Sequence, residues 1–498
     1  MVSVVNEFDP PEGSLRRSVG RGAVATAIAQ AVQVATQIVS VLVLSRLLAP
    51  GDFGLMAMIA PVVALLGMLQ DFGLVQATVQ KAQLRRDEVN FLFWVNVAAS
   101  VGLALLLVAI SPLVAAFYQE PRALALTAAM ALPMIIGALG AQHMALLNRR
   151  MEFGRMAVIT VVAAISTLVT AIVWALVSPS YWALFGGSLV GAVLSTVIAW
   201  IFSRWRPGMP RRVSEARSLL GFGAGITGFN FANFFARNLD NVLIGRVWGE
   251  AQLGYYDRAY KLLLLPLSQI ANPLSRVMIP ALSRMCEEPD RYRHAFFRVV
   301  KLSLLVSLPG VAFAIGMADV LIPFMLGEQW SPSAPIFMAL GFAGMLQPLN
   351  NPTGWLFISQ GRSTDFMIWG LVTAGVAVTA FAIGLPWGAV GIAAAYAISE
   401  YLKTPILWMY IARRGPVKVG DAVRSCGPAV IAAHVALAVI YLLHDVFAAK
   451  GTAGLLAAAL LSYGVFCLIF MLSKQGRDTI KEAAALIAAL VLRFSRKV

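Results

Sequence analysis

From residue 22 to residue 472 the chain is a nearly unbroken series of apolar runs joined by short connections. A helix needs about 20 apolar residues to cross the hydrocarbon core of a bilayer, and runs near 22–46, 54–80, 89–111, 123–147, 156–178, 181–203, 218–247, 253–281, 299–323, 334–359, 366–385, 388–411, 425–444 and 452–472 meet that length. The predicted fold class is therefore an all-α integral membrane protein of about fourteen transmembrane helices. Composition agrees: 59% of residues are hydrophobic and 13% charged, whereas a soluble domain has about 45–50% and 25%. Pro61, Pro133, Pro266 and Pro273 interrupt individual runs, which packed membrane helices tolerate.

The net charge of +15 does not point to nucleic acid, because Lys and Arg sit in small groups between the apolar runs. Alternate connections hold 29 and 4 of them, the minority being Arg46, Arg122, Arg246 and Lys450. The basic set belongs on the cytoplasmic side, so an even number of spans puts both termini there. Residues 1–21 read as a polar cytoplasmic tail, and the run that follows is too long for the core of a signal peptide. Residues 478–494 are apolar on one side and basic at the end, as in a helix lying on a membrane surface. Cys286, Cys426 and Cys467 are widely spaced and imply neither a disulfide framework nor a metal site.

The chain also repeats itself. Residues 44–55 (LSRLLAPGDFGL) align without gaps on residues 244–255 (IGRVWGEAQLGY), pairing Arg46 with Arg246 and Gly54 with Gly254. A weaker echo joins Arg150 and Phe153 to Arg362 and Phe366. Six spans separate each pair, so the halves share one orientation and are related by an axis along the membrane normal. The expected organisation is an N-lobe of six helices at 22–203, a cytoplasmic linker at 204–217, and a C-lobe of six helices at 218–411. Two more helices at 412–472 and an amphipathic tail at 473–498 follow, with the lobes facing each other across a central cavity.

Polar residues keep the same register. Gln30, Gln33, Gln37 and Ser40 share one helical face of the first span, and Asn230, Asn233, Arg237 and Asp240 share one face of the seventh. A charge near the bilayer centre costs about 2.5–3.5 kcal/mol, so the face with Arg237 and Asp240 is expected to meet a water-filled cavity rather than lipid. Asn230 and Asn233 then suit hydroxyl ligands and Arg237 an anion. Span eight opens with Tyr255, Tyr256, Asp257, Arg258, Tyr260 and Lys261. Pairing of Asp257 with Lys261 leaves Arg258 as a surplus cation, and Arg258 and Lys261 become candidates for phosphate with tyrosine faces for sugar rings. Asp71 and Asp240 are candidates for ion coupling. Glu400 and Lys403 form an i,i+3 pair, while His143 and His434 read as packing residues. No lysine follows a glycine, which excludes a Walker A loop, and no Cys/His spacing suits a metal. No cofactor and no enzymatic activity are predicted.

Residues 44–58 (LSRLLAPGDFGLMAM), 71–80 (DFGLVQATVQ), 148–158 (NRRMEFGRMAV), 238–266 (NLDNVLIGRVWGEAQLGYYDRAYKLLLLP) and 327–337 (GEQWSPSAPIF) resemble the Wzx-like polysaccharide transporters. They are most similar to the branch that exports exopolysaccharides such as colanic acid and succinoglycan, over residues 20–412. That resemblance implies the multidrug/oligosaccharidyl-lipid/polysaccharide flippase superfamily. It also implies a flippase moving undecaprenyl-pyrophosphate-linked oligosaccharide repeat units across the bacterial inner membrane through a polar, cationic cavity by alternating access. A lipid-linked oligosaccharide, membrane lipids, a polysaccharide polymerase and a chain-length regulator are its implied partners. Three other readings are a lipid II flippase, a multidrug antiporter and a membrane polymerase or ligase. Of these, the antiporter calls for an acidic, aromatic cavity, and the polymerase or ligase for a large outer loop that this sequence lacks.

Overall fold

The computed structural model describes residues 15–71, 78–79, 84–209 and 216–495, and every element in them is helical. The side chains of Asp71, Asn230, Asn233 and Arg237 lie outside the described residues. Eleven helical segments among the described residues are long and apolar enough to cross a membrane.

Residues up to Gly254 form one compact unit and residues from Tyr255 onward another. The first contains α1 (Leu15–Leu47), α2 (Pro50–Asp71), α3 (Arg86–Tyr118), α4 (Arg122–Ala129), α5 (Ala131–Arg149), α6 (Phe153–Val177) and α7 (Tyr181–Ser203). Helix α8 (Ala216–Ser283) begins in the first unit and ends in the second. The second also holds α9 (Pro289–Gly316), α10 (Ala318–Leu326), α11 (Ser333–Asn350), α12 (Thr353–Ser359), α13 (Ser363–Gly384) and α14 (Gly388–Ala412). It closes with α15 (Val419–Leu442), α16 (His444–Ala448), α17 (Gly451–Met471) and α18 (Lys474–Ser495).

Several apolar runs are divided where backbone chemistry requires it. Pro133 has no N–H for the carbonyl one turn earlier, and the run at 123–147 breaks at Met130 between α4 and α5. Pro352 separates α11 from α12 in the run at 334–359 for the same reason. Within α8 the break falls at Gly249, whose φ of 79° is open to glycine at little cost.

In the first unit, α6 packs against α1 and α7, and α5 against α3 and α7. Small residues permit these approaches: a Cβ built on Gly187 would stand 2.6 Å from the Thr167 carbonyl oxygen, and one on Gly140 2.8 Å from Thr196 Oγ1. Phe93, Leu146 and Trp205 are buried at one end, where His143 lies 4.5 Å from the Trp200 ring and bonds Ser203 Oγ at 2.7 Å through Nδ1. In the second unit α9 packs on α15 and α11, α14 on α11 and α13, and α17 on α15.

Each unit ends a helix in the same way. Arg150 donates to the Ser203 carbonyl at 2.8 Å and Arg155 to that of Phe202 at 3.1 Å, both at the C-terminus of α7. Arg362 donates to the carbonyls of Ile411 at 3.2 Å and of Arg414, at the C-terminus of α14. A guanidinium there satisfies carbonyls that the helix cannot pair and meets the negative end of its dipole. The repeated Arg150 and Arg362 thus do one job in two places.

Candidate functional site: a polar cavity in the first unit

Helices α1, α5, α6 and α7 line an open cavity of about 670 Å³. Gln33, Thr36, Gln37 and Ser40 of α1 line one side, at the i, i+3, i+4, i+7 spacing of a single helical face. Thr160, Ala163, Ala164, Thr167, Leu168 and Ala171 of α6 line another with the same period. Gly137, Gly140, Ala141 and Met144 of α5 and Ser195 and Thr196 of α7 complete most of the wall. The stripe predicted on the first span therefore lines a cavity through Gln33, Gln37 and Ser40. Gln30, one turn earlier, is exposed and does not line it.

Hydroxyl chemistry gives the cavity its character. Thr36 Oγ1 donates to the carbonyls of Val32 and Gln33 at 3.0 and 2.9 Å, Thr160 to Met156 at 3.0 Å, Ser195 to Ala192 at 3.0 Å and Thr196 to Ile136 at 2.8 Å. The carboxamides of Gln33 and Gln37 have no hydrogen-bond partner among the described residues. Among the described residues the lining carries no charged side chain. Arg46, Arg149, Arg155 and Arg204 stand at or near the ends of the four helices, where Arg149 of α5 donates to the Thr78 carbonyl and Arg155 of α6 to the Glu152 carboxylate and to the Phe202 carbonyl of α7.

Elsewhere the predicted residues are distributed as follows. Asp240 is buried and accepts the Asn241 N–H at 2.8 Å. Asp257 accepts from Lys261 at 2.8 Å and from Arg258 at 3.4 Å, so its carboxylate is shared and Arg258 is not surplus. Consecutive residues on a helix point about 100° apart, but a long guanidinium can fold back, which spacing alone does not reveal. Tyr256 is buried and stacks on Tyr260 at 6.1 Å, and Tyr255 meets Trp330 edge-on at 6.0 Å. Glu400 and Lys403 do pair, at 2.6 Å. His434 is satisfied on both sides, with Nδ1 on the Val430 carbonyl and Nε2 on the Tyr401 hydroxyl, each at 2.8 Å.

Five polar lining residues escaped the sequence reading: Thr36, Thr160, Thr167, Ser195 and Thr196. Thr36 completes the α1 stripe, and Thr160 with Thr167 bracket a helical stripe of small residues. Both signals were present in the spacing.

A chain of many apolar spans is a multi-pass membrane protein. The family described as polysaccharide biosynthesis protein matches residues 43–335, more than half of the sequence, and the chain belongs to this family. It is 24% identical over 394 residues to the lipopolysaccharide biosynthesis protein WzxC of Escherichia coli (strain K12), covering 78% of this chain and 80% of WzxC. It is 26% identical over 349 residues to the succinoglycan biosynthesis transport protein ExoT of Rhizobium meliloti (strain 1021), covering 70% of each. Among solved structures, lipid II flippase MurJ in an inward closed conformation shares the fold, with a TM-score of 0.69 and 14% identity over 92% of this chain and 99% of that one.

Proposed function

We propose that this protein is a flippase that carries undecaprenyl-pyrophosphate-linked oligosaccharide repeat units from the inner to the outer leaflet of the bacterial inner membrane, supplying exopolysaccharide or lipopolysaccharide synthesis. The observation that carries this reading is the polar cavity of about 670 Å³ among the spans of a polysaccharide biosynthesis family member. An oligosaccharide loses its hydration in hydrocarbon unless hydrogen-bonding groups replace water. Rows of Gln, Ser and Thr provide such groups at membrane depth, while a polyprenyl tail stays in lipid. Translocation in this form makes and breaks no covalent bond and needs no cofactor.

Fourteen crossings in two six-helix lobes plus two C-terminal helices fit the elements. Ser363–Ala412 contains the two helices α13 and α14 of 22 and 25 residues, and the 68-residue α8 breaks at Gly249 into two segments of about 50 Å each at 1.5 Å per residue, longer than the hydrocarbon thickness. Each counts as two crossings, and α11 with α12 adds another. Alternating access between repeated halves then exposes the site first to the cytoplasm and later to the periplasm. In this scheme Gln30, Gln33, Gln37, Asn230 and Asn233 serve hydroxyl groups. Arg237, with Arg258 and Lys261, serves the pyrophosphate, and Asp71 and Asp240 are available to an ion. A polymerase and a chain-length regulator act on the delivered units.

The test is a deletion strain without a redundant transporter, assayed for lipid-linked repeat units on each leaflet. Accumulation on the cytoplasmic leaflet with loss from the periplasmic one is expected. Normal delivery to the periplasmic leaflet overturns the assignment.

A further inference from the structure

We infer that α18 is a binding surface for anionic phospholipids of the leaflet at which α17 ends, with lysines for the headgroup phosphates and an apolar stretch for the acyl chains, whatever cargo the protein carries. Helices α17 and α18 meet at a sharp turn. Ser473 Oγ accepts the Gly476 N–H at 2.9 Å, and a Cβ built on Gly476 would stand 1.8 Å from the Phe470 carbonyl oxygen. With 21 residues, about 31 Å at 1.5 Å per residue, α17 crosses the whole hydrocarbon core, and Lys474 emerges at the membrane surface. Helix α18 then packs against α17, α15 and α9. Its Glu482 pairs with Arg298 in the third turn of α9, so α18 runs across this end of the second unit and does not lead away from it.

Burial separates the faces of α18. Gly476 and Thr479 are buried and Ile480 and Ala483 half-buried, which marks the docked side. Lys474, Arg477 and Lys481, at i, i+3 and i+7, are exposed together on another face. Arg477 donates to the carbonyls of Met471 and Leu472 at 3.1 and 3.2 Å, whereas Lys474 and Lys481 have no hydrogen bond or ion pair among the described residues. Beyond them, residues 483–492 (AAALIAALVL) hold no polar side chain. Ala484, Ala485, Leu486, Ala488 and Ala489 are all exposed. At about 100° per residue these positions cover more than one face, so the second unit leaves this stretch open, and hydrocarbon spares it the cost of apolar hydration. Charge selects the lipid. Residues 288–301, 418–424 and 474–482 of α9, α15 and α18 hold nine Lys and Arg against five Asp and Glu, an excess that favours an anionic membrane surface. A second copy of the chain would bring the same positive excess to the contact and is disfavoured.

The experiment places the purified full chain in vesicles of phosphatidylcholine alone or of equimolar phosphatidylcholine and phosphatidylglycerol, and follows amide hydrogen exchange over residues 474–492 with α17 as the internal reference. Exchange is expected to be slower in the mixed vesicles by about fivefold for each lysine engaged, and high salt is expected to erase the difference. The double variant Lys474→Gln/Lys481→Gln, at two exposed positions, is expected to exchange in mixed vesicles within about twofold of its rate in phosphatidylcholine. Equal wild-type exchange in the two vesicles overturns the inference, as does a double variant that keeps the full difference. Protection that follows the density of protein in the vesicle and ignores lipid charge also overturns it, by assigning the surface to a second copy of the chain.

Discussion

Both ring nitrogens of His444 face carboxylates, Nδ1 toward Asp445 at 3.1 Å and Nε2 toward Asp319 at 2.9 Å. Only the imidazolium donates to both. Hydrogen bonding to Asp445, then to Asp319, raises the His444 pKa against the opposing effect of burial. A raised folded-state pKa means that this stabilisation is complete below the ordinary imidazole value of about 6.5 and is lost as pH rises through the raised value. Thermal unfolding of detergent-solubilised protein is therefore expected to show a Tm that falls as pH rises above the ordinary imidazole value of about 6.5. His444→Gln is expected to flatten that slope, and a parallel slope in the variant refutes the assignment. Single residues differed in how readable they were. The pair Glu400 and Lys403 was legible because i,i+3 side chains are neighbours on any helix. The sharing of Asp257 by two cations was not, because it depends on how a flexible guanidinium packs.

Among the elements, the two copies of the repeated motif touch each other. A Cβ built on Gly54 of α2 would stand 1.7 Å from the Glu250 carbonyl oxygen of α8, and one on Gly254 would stand 2.0 Å from that of Pro50. Positions 54 and 254 are repeat equivalents, and so are 50 and 250. The contact is therefore reciprocal, as at a two-fold axis, where residue i meets j and j meets i. Arg122 reinforces it, bridging Glu120 at 2.7 Å and Glu250 at 3.1 Å. Either Gly54→Ala or Gly254→Ala must push α2 and α8 apart, at a cost of about 1–3 kcal/mol. Separation forced by one relieves the other, so the double variant is expected to be little worse than either single variant. Additive losses in unfolding measurements on the three proteins would show two independent sites. The alignment at an offset of 200 revealed the glycines, while their mutual contact required the helices to be assembled.

For the whole molecule, topology is the property that the charge distribution governs. The excess of Lys and Arg in alternate connections predicts that both termini are cytoplasmic. Fluorescent-protein fusions at residue 498 are expected to fluoresce and alkaline phosphatase fusions there to be inactive; the opposite pattern refutes an even number of crossings. The sequence by itself determined that the chain is helical and enters a membrane, because hydrocarbon forces every backbone group to be satisfied within its own helix. It also determined the helical face on which Gln33, Gln37 and Ser40 lie, because 3.6-residue periodicity is local. Only the tertiary structure decided what that face meets. A polar stripe is equally compatible with a neighbouring helix, lipid headgroups or a cavity, and the choice depends on residues far apart in sequence. Gly140, Gly187 and Gly191 bring α5, α6 and α7 together, and Thr160, Ser195 and Thr196 turn their protons inward to carbonyls. The cavity that these residues line arises from those non-local contacts.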